Sequence, residues 1–337
     1  MLSSSSVACI IVNYNGFAKT LACLDALSSM PVLPHSICAV DNGSRSGESD
    51  MLLRAWTELC RQRKLEPPVV CQPKPNTRLR GGLFLPLAQN MGFAAGNNAA
   101  LRMLLTEPDC QAFWLLNNDA LPQPDALEAL VRRMNQRPDA GMAGSSLIRA
   151  RDSLLQTAAG VTLNPLTGIT RYVLDGMPPA KISECDERTI EGKLAAITAA
   201  SCLVNRAALE HVGLMDESFF LYFEDVDWSL RFRKAGYALA WAKGSMVVHE
   251  EGGSIPGNDN AESVLNYTAL VDYLSYRNRL RLMLAHYPLG VPTTLLSFLY
   301  AICKRFLRGE PKKALRVAKT IRSALCNEQG KPNTYKV

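Results

Sequence analysis

The sequence lacks the loops by which most nucleotide-handling α/β proteins announce themselves. No Gly-x-x-x-x-Gly-Lys-Ser/Thr occurs, and Gly92-Phe-Ala-Ala-Gly96 does not have the spacing of a dinucleotide fingerprint, which excludes the two commonest phosphate cradles. Its 10 cysteines contain no Cys-x-x-Cys pair, so zinc ribbons and dithiol redox motifs are excluded too. Scattered single thiols fit a reducing compartment, where they serve as small apolar side chains. No internal repeat is evident. The N-terminus, MLSSSS, has no cationic start and leads into an apolar run of only six residues, Val7–Val12, too short for a signal peptide. The expectation is a protein made and kept in the cytoplasm. A basic–aromatic recognition pattern is also missing, which argues against nucleic acid as a partner.

What is present is ordinary globular material: 337 residues, 47% apolar and 20% charged, enough for two domains or one large domain with an appendage. The net charge of +6 is unevenly placed. Residues 304–337 carry ten Lys/Arg against Glu310 and Glu328, a local balance of +8, so the remainder sums to −2. A basic tail on a mildly acidic body suggests an anionic partner. The 17 uncharged residues from Tyr287 to Cys303 precede Lys304, Arg305 and Arg308. That run is marginal for spanning a bilayer, but apolar sequence meeting a cationic cluster suits an interfacial anchor on anionic lipid.

The first 150 residues alternate between short apolar runs and helical spacing. Strands are expected at Val7–Val12, Ser36–Val40, Leu83–Ala88 and Gln111–Leu116. Helices are expected at Phe17–Met30, Ser49–Lys64 and Gly96–Leu105. This alternation predicts a mostly parallel central sheet flanked by helices. Residues 151–192 show no clear periodicity. A strand at Ala195–Val204, a helix at Glu224–Ala235 and short strands at Ala238–Trp241 and Met246–Val248 complete the body near residue 255. The boundaries expected are therefore 1–255 for the body and 256–337 for a helical, basic appendage.

In an open parallel sheet, ligands bind beyond the carboxyl ends of the strands. The polar residues that follow the apolar runs are Asn13-Tyr14-Asn15-Gly16, Asp41-Asn42-Gly43-Ser44, Asn90-Met91-Gly92-Phe93 and Asn117-Asn118-Asp119. Each alone reads as a turn. Four on one edge make a polar rim suited to a nucleotide. With no phosphate loop, the diphosphate must be met by a metal or by isolated basic groups, and Asn117 and Asp119 are oxygen ligands that Mg²⁺ or Mn²⁺ accepts. A second constellation, DESFFLYFEDVDW at 216–228, sets an aromatic stretch before Glu224, Asp225 and Asp227 at a helix opening. Helix-dipole stabilisation is the plain explanation. Yet Glu224 and Asp225 follow apolar residues, so at least one should face a pocket. His249 opens a Gly-rich stretch, 249–254, able to act as a lid.

Taken together, IIVNYN at 10–15, VDNGS at 40–44, NMGFAAGNN at 90–98, LLNNDA at 115–120, FFLYFEDVDWSLRFRKAGY at 219–237 and HEEGGS at 249–254 resemble the family 2 inverting glycosyltransferases. The likeness is to their GT-A fold (α/β, Rossmann-like) and to the bacterial rhamnosyl- and galactofuranosyltransferase branch. It covers about residues 5–255, with a looser match at Arg277-Asn278. The resemblance implies that Tyr14, Asn15 and Asp41 receive the base and ribose, while Asn90, Gly92 and Asn118 border the nucleotide sugar. Asp119, with His249 and Asn117, would hold a divalent cation, Mg²⁺ or Mn²⁺. Asp225 would be the general base beside Glu224, and Asp227 and Trp228 would shape the acceptor site. Asn117 stands where the family's Asp-x-Asp has its first carboxylate, which weakens the expected metal site. A base must be ionised, so a strongly raised pKa at Asp225 would count against it.

The implied activity is inverting transfer of a hexosyl group, best matched to L-rhamnose from dTDP-rhamnose, onto a saccharide or polyprenyl-diphosphate-linked acceptor in surface-polysaccharide assembly. The enzyme would sit peripherally on the cytoplasmic face of the inner membrane. The alternatives are a UDP-sugar (galactofuranosyl or hexosyl) transferase, a nucleotidyltransferase with no need of Asp225, and a catalytically silent sugar-nucleotide or membrane-binding scaffold. The longer, basic stretch 61–82 has no assigned role.

Overall fold

The computed structural model describes residues 1–71, 79–250, 261–326 and 328–330, with side chains from Thr268 onward in the helix that opens at Ala261. The N-terminal half follows the expected alternation: β1 (Val7–Asn13), α1 (Phe17–Ser28), β2 (Ser36–Asp41), α2 (Glu48–Arg63), β3 (Val69–Val70), β4 (Gly81–Pro86), α3 (Phe93–Leu104) and β5 (Ala112–Asn117). Next come β6 (Ala120–Pro122), α4 (Ala126–Gln136), β7 (Ala140–Arg149), β8 (Leu155–Ala158), β9 (Gly160–Leu163), β10 (Thr170–Tyr172) and α5 (Glu187–Glu191). The body closes with β11 (Ala196–Ile197), β12 (Ser201–Asn205), α6 (Arg206–Val212), α7 (Glu224–Lys234) and β13 (Ala238–His249). Three helices follow, α8 (Ala261–His286), α9 (Val291–Leu307) and α10 (Pro311–Leu325).

Ten strands form one sheet in the order β3-β4-β2-β1-β5-β12-β7-β13-β6, with β8 added on β7. Strands β3 to β5 are parallel, as are β7 and β13, while β12 runs antiparallel between β5 and β7. β1 explains why a continuous apolar run makes a central strand: Val7, Cys9 and Ile11 pack on one side with α1, α2 and α4, and Ala8 and Ile10 pack on the other with α3 and α7. All ten cysteines are free thiols, and seven of them are buried.

Two departures from the sequence reading matter. The strand expected at Ala195–Val204 is broken: β11 joins a small sheet with β9 and β10, β12 joins the main sheet, and residues 198–200 turn between them. The two short strands expected after residue 238 are one long strand, bulged between Ala242 and Met246. Residues 151–192, without periodicity in sequence, supply β8, β9, β10 and α5, elements too short to print a period. Among the described residues, no helix is long and apolar enough to cross a membrane.

Candidate active site

The strand order reverses at β1, so the carboxyl ends of β1, β2 and β5 flank the crevice where a doubly wound sheet binds ligands. Asn13 and Thr20 tie these ends together. Asn13 Nδ2 donates to Asp41 Oδ1 (2.8 Å) and to Ser44 Oγ (3.1 Å). Its Oδ1 accepts from Thr20 Oγ1 (2.7 Å), and that hydroxyl in turn accepts from Asn118 Nδ2 (3.0 Å). Ser44 Oγ also donates to Asp41 Oδ1 (2.6 Å) and accepts from the Asn15 amide (2.9 Å). Asp41 is consequently 2% exposed with its carboxylate committed to the turn, which leaves little of it for a ribose. Asn118 is half-buried, its Nδ2 spent on Thr20. Tyr14 and Asn15 stay half-buried on this rim, Asn15 in the left-handed region at φ 52° with its Oδ1 accepting from Arg45 N. Asn90 Oδ1 accepts from Gly92 N (2.9 Å), fixing the entry to α3. Gly92 sits at φ 91°, and a Cβ there would collide with the Phe220 carbonyl, so only glycine lets α3 approach the aromatic segment.

Asp119 and His249 meet. β5 delivers Asn117 and the following turn delivers Asp119. The end of β13, paired to β6 with His249 opposite Ala120, brings the imidazole over them. His249 Nδ1 lies 2.8 Å from Gln156 Oε1, a contact that fixes the ring and turns Nε2 toward the end of β5. That Nε2 is 3.2 Å from Asp119 Oδ1 and 3.4 Å from Asn117 Nδ2. A carboxylate oxygen and an imidazole nitrogen at this spacing can share one cation. Asn117 Oδ1 is buried without a hydrogen-bond partner, a further oxygen in want of one. This donor set of two oxygens and an imidazole, with Gln156 orienting the ring from behind, fits a divalent metal. A different His–Glu–Asp group, His35, Glu107 and Asp109, lies near the amino ends of β2 and β5, at the opposite end of the sheet. Asp109 is open to solvent there and Glu107 already accepts from Leu79 N (3.2 Å).

The acidic helix opening is built under strain. Phe220, Tyr222 and Phe223 take positive φ of 67°, 69° and 71°, a region that costs a non-glycine residue about 1–3 kcal/mol each. The segment delivers Glu224 and Asp225 at the start of α7. Asp225 accepts from Ala199 N at Oδ2 (3.3 Å) and from its neighbour Val226 N at Oδ1 (2.8 Å). Ala199 belongs to the turn 198–200, and Ala200 O accepts from Asn117 N (3.0 Å), so a single turn joins Asp225 to the strand end that carries Asn117 and Asp119.

Burial raises the Asp225 carboxyl, in the direction adverse to a base, while the Ala199 and Val226 amides oppose the shift. Burial, reinforced by the Asp225 charge, pushes Glu224 up to about 8. The repulsion falls on Glu224, whose Oε2 is buried without a partner, while Asp225 is the member whose carboxylate is met by backbone amides.

Two residues expected at an acceptor site are placed elsewhere. Trp228 is wholly buried, packed edge-on against Phe232 with its Nε1 donating to Gly213 O (2.9 Å). A tryptophan in the core cannot touch an acceptor. Asp227 turns toward Arg231 (2.9 Å) and toward His286 of α8 (2.7 Å). Burial would raise its carboxyl, but those bonds outweigh it and hold the group below its ordinary value. Residues 251–254 of the Gly-rich stretch and 72–78 of the basic stretch lie outside the described residues.

Comparison with known proteins bears on the family and the fold. The family model described as glycosyltransferase like family 2 matches residues 85–265, and the chain belongs to that family. It is 28% identical over 250 residues to the N-acetylglucosaminyl-diphospho-decaprenol L-rhamnosyltransferase of Mycobacterium tuberculosis, covering 71% of this chain and 73% of that one. It is 24% identical to the O-antigen biosynthesis protein RfbC of Myxococcus xanthus, over 75% of this chain and 18% of the relative. Among solved structures, the mannosyltransferase PcManGT from Pyrobaculum calidifontis, in complex with GDP-Man and Mn²⁺, superposes with a TM-score of 0.54 at 15% identity, over 96% of this chain and 88% of that one. GalNAc-T7 with UDP, GalNAc and Mn²⁺ gives 0.54 at 11% identity, over 82% of this chain and 47% of that one. The fold is GT-A, and the protein is a glycosyltransferase.

Proposed function

We propose that this family 2 enzyme is an inverting rhamnosyltransferase, moving L-rhamnose from dTDP-rhamnose to a saccharide or polyprenyl-diphosphate-linked saccharide in bacterial surface-polysaccharide assembly. The observation that carries the chemistry is the single turn joining Asp225, the amide-bonded member of an acidic pair, to the strand end where Asp119 faces His249. The choice of sugar and acceptor is supported by the mycobacterial relative, whose name gives a rhamnosyl group and a decaprenol-linked acceptor.

In this reading Tyr14, Asn15 and the turn held by Asp41 seat the nucleoside, and Asn90 and Gly92 border the sugar. Asp119, His249 and Asn117 would hold Mg²⁺ or Mn²⁺, which when bound offsets charge on the diphosphate. Asp225 removes the proton from the acceptor hydroxyl as that oxygen bonds to the anomeric carbon. The bond from the anomeric carbon to the diphosphate oxygen breaks on the opposite face, and the configuration inverts. Glu224, protonated, keeps a second negative charge away from the attacking oxygen.

Residues 1–255 form the catalytic body in this reading, and 256–337 attach it to the cytoplasmic face of the inner membrane. Support comes from α9 and α10, where exposed Leu299, Tyr300, Phe306 and Leu307 stand among exposed Lys304, Arg308, Lys312 and Lys313. Apolar side chains with cationic neighbours match an anionic lipid surface.

The test is a donor panel with purified protein and Mn²⁺ or Mg²⁺, recording release of dTDP, UDP or GDP. Hydrolysis of dTDP-rhamnose, accelerated by a lipid-linked saccharide and lost in Asp225→Asn, is expected. Turnover of a UDP-sugar instead would reassign the donor. Donor binding without turnover in any combination would leave a scaffold.

A further inference from the structure

We infer that Asn278, with Arg277 behind it, is a positioning residue for the acidic pair: from a helix outside the sheet it clamps the strained segment that delivers Glu224 and Asp225. This rests on the reading of Asp225 as base. Asn278 Nδ2 converges on three backbone carbonyls, Phe219 O (2.9 Å), Leu221 O (2.9 Å) and Tyr222 O (2.8 Å). These are the residues among which the chain passes through positive φ before reaching Glu224. Carbonyls turned the same way by a left-handed path repel one another unless a donor gathers them, and the two N–H donors of the amide do so here, one shared between two carbonyls.

Arg277 sets the amide. Its Nε donates to Asn278 Oδ1 (3.0 Å), which leaves Nδ2 as the end that faces the carbonyls, and its Nη2 adds a bond to Phe219 O (3.1 Å). Both side chains are fully buried. Burial lowers the guanidinium to about 10, so it stays charged at neutral pH, and Gly330 O accepts from its Nη1 (2.8 Å). One turn on, Arg281 donates to Ser218 O (3.0 Å) and Ser218 Oγ (2.7 Å) at the start of the same segment. Nothing in this arrangement touches Asp119, His249 or Asn117. The clamp therefore serves one half of the site only, and a helix of the basic appendage completes the geometry of a group on the catalytic body.

Displacing a reacting group by about 1 Å can cost about 10²-fold in rate. Asn278→Ala in the full chain should lower kcat by about that factor while the KM for the sugar nucleotide and the affinity for free nucleoside diphosphate stay within about twofold. It should also admit water to Glu224 and Asp225, whose carboxyls burial raises, so the acid limb of the kcat profile moves to lower pH. Asp227, Arg231 and His286, the charged neighbours on α7 and α8, remain paired with one another in the variant. Arg277→Lys, which keeps the charge but gives up the fork, should show the same pattern more weakly and serves where Asn278→Ala fails to fold. Unchanged kcat and profile in a folded variant would overturn the inference, as would equal loss of kcat and nucleotide affinity with an unmoved profile. Asp225→Asn run alongside separates the two ideas. If it is inactive while Asn278→Ala is intact, only the clamp falls; if it keeps wild-type turnover, the base falls and takes the clamp with it.

Discussion

The two halves of the site are held by different means. The half proposed to hold a cation is self-contained: Asn117 and Asp119 end a buried strand, His249 ends another in the same sheet, and Gln156 orients the imidazole through one hydrogen bond. The acidic half hangs on a backbone in three positive-φ steps, anchored on one side by the turn 198–200 and on the other by α8. A metal half needs only acceptors brought near, since the ion supplies the attraction. An acid–base half needs two like charges kept apart in pKa at close quarters, which takes burial and a fixed backbone. One half can be repaired by mass action and the other cannot.

The largest expected effect follows from that difference. Asp225→Asn should lower kcat by about 10²–10⁴-fold at any metal concentration, because a lost proton acceptor is not restored by occupancy. Gln156→Leu should instead lower apparent Mn²⁺ affinity by about 10–100-fold and recover most of its kcat at saturating metal. Metal titrations of both variants, with initial rates fitted for kcat and half-saturating Mn²⁺, make the check. Recovery of Asp225→Asn by metal, or failure of Gln156→Leu to recover, would erase the distinction.

A smaller effect belongs to Glu224. Its carboxyl is raised to about 8 in the folded chain, so between its unfolded value and 8 the folded state binds the extra proton and stability falls as pH rises. Each unit across that window is worth at most about 1.4 kcal/mol. Wild-type melting temperature should therefore drop from pH 5 to pH 8 more steeply than that of Glu224→Gln, which has no proton to lose. Equal slopes would mean that water reaches Glu224 and that the pair is not divided as described.

The same contrast explains what could be read in the sequence. The strand endings, and so the meeting of Asn117, Asp119 and His249, were legible because β-type runs with polar ends report where a sheet edge lies. The ring of Asn13, Thr20 and Ser44 was half legible, since Asn13 and Ser44 stand in the polar endings while their partners are chosen by packing. Gln156 left no signal, lying in a stretch without periodicity. Trp228 was misplaced because an aromatic beside carboxylates suits both a sugar site and a core. Only the phase of α7 against β7 and β13 decides for the core. The break at 198–200 was hidden in a run of small apolar residues that reads as one strand, and the clamp depends on contacts across some 56 to 59 positions of sequence.

The appendage offers the smallest and most selective way to sharpen the comparison, because it has two faces. Its inner face serves the acidic half through Asn278 and Arg277. Its outer face carries Leu307, 90% exposed, and Leu299, 52% exposed, which touch little of the body. Leu299→Ser and Leu307→Ser should change stability by no more than about 0.5 kcal/mol, as surface substitutions do. Each forfeits up to about 1.5 kcal/mol of transfer into lipid, roughly tenfold in partitioning. Sedimentation with vesicles containing phosphatidylglycerol should therefore weaken stepwise in the single and double variants, while kcat on a water-soluble acceptor holds at the wild-type value. A fall in kcat on that soluble acceptor would mean that the outer face also supports the acidic pair. Unchanged vesicle binding would remove lipid as the partner of the outer face and leave the inner clamp as the appendage's part in catalysis.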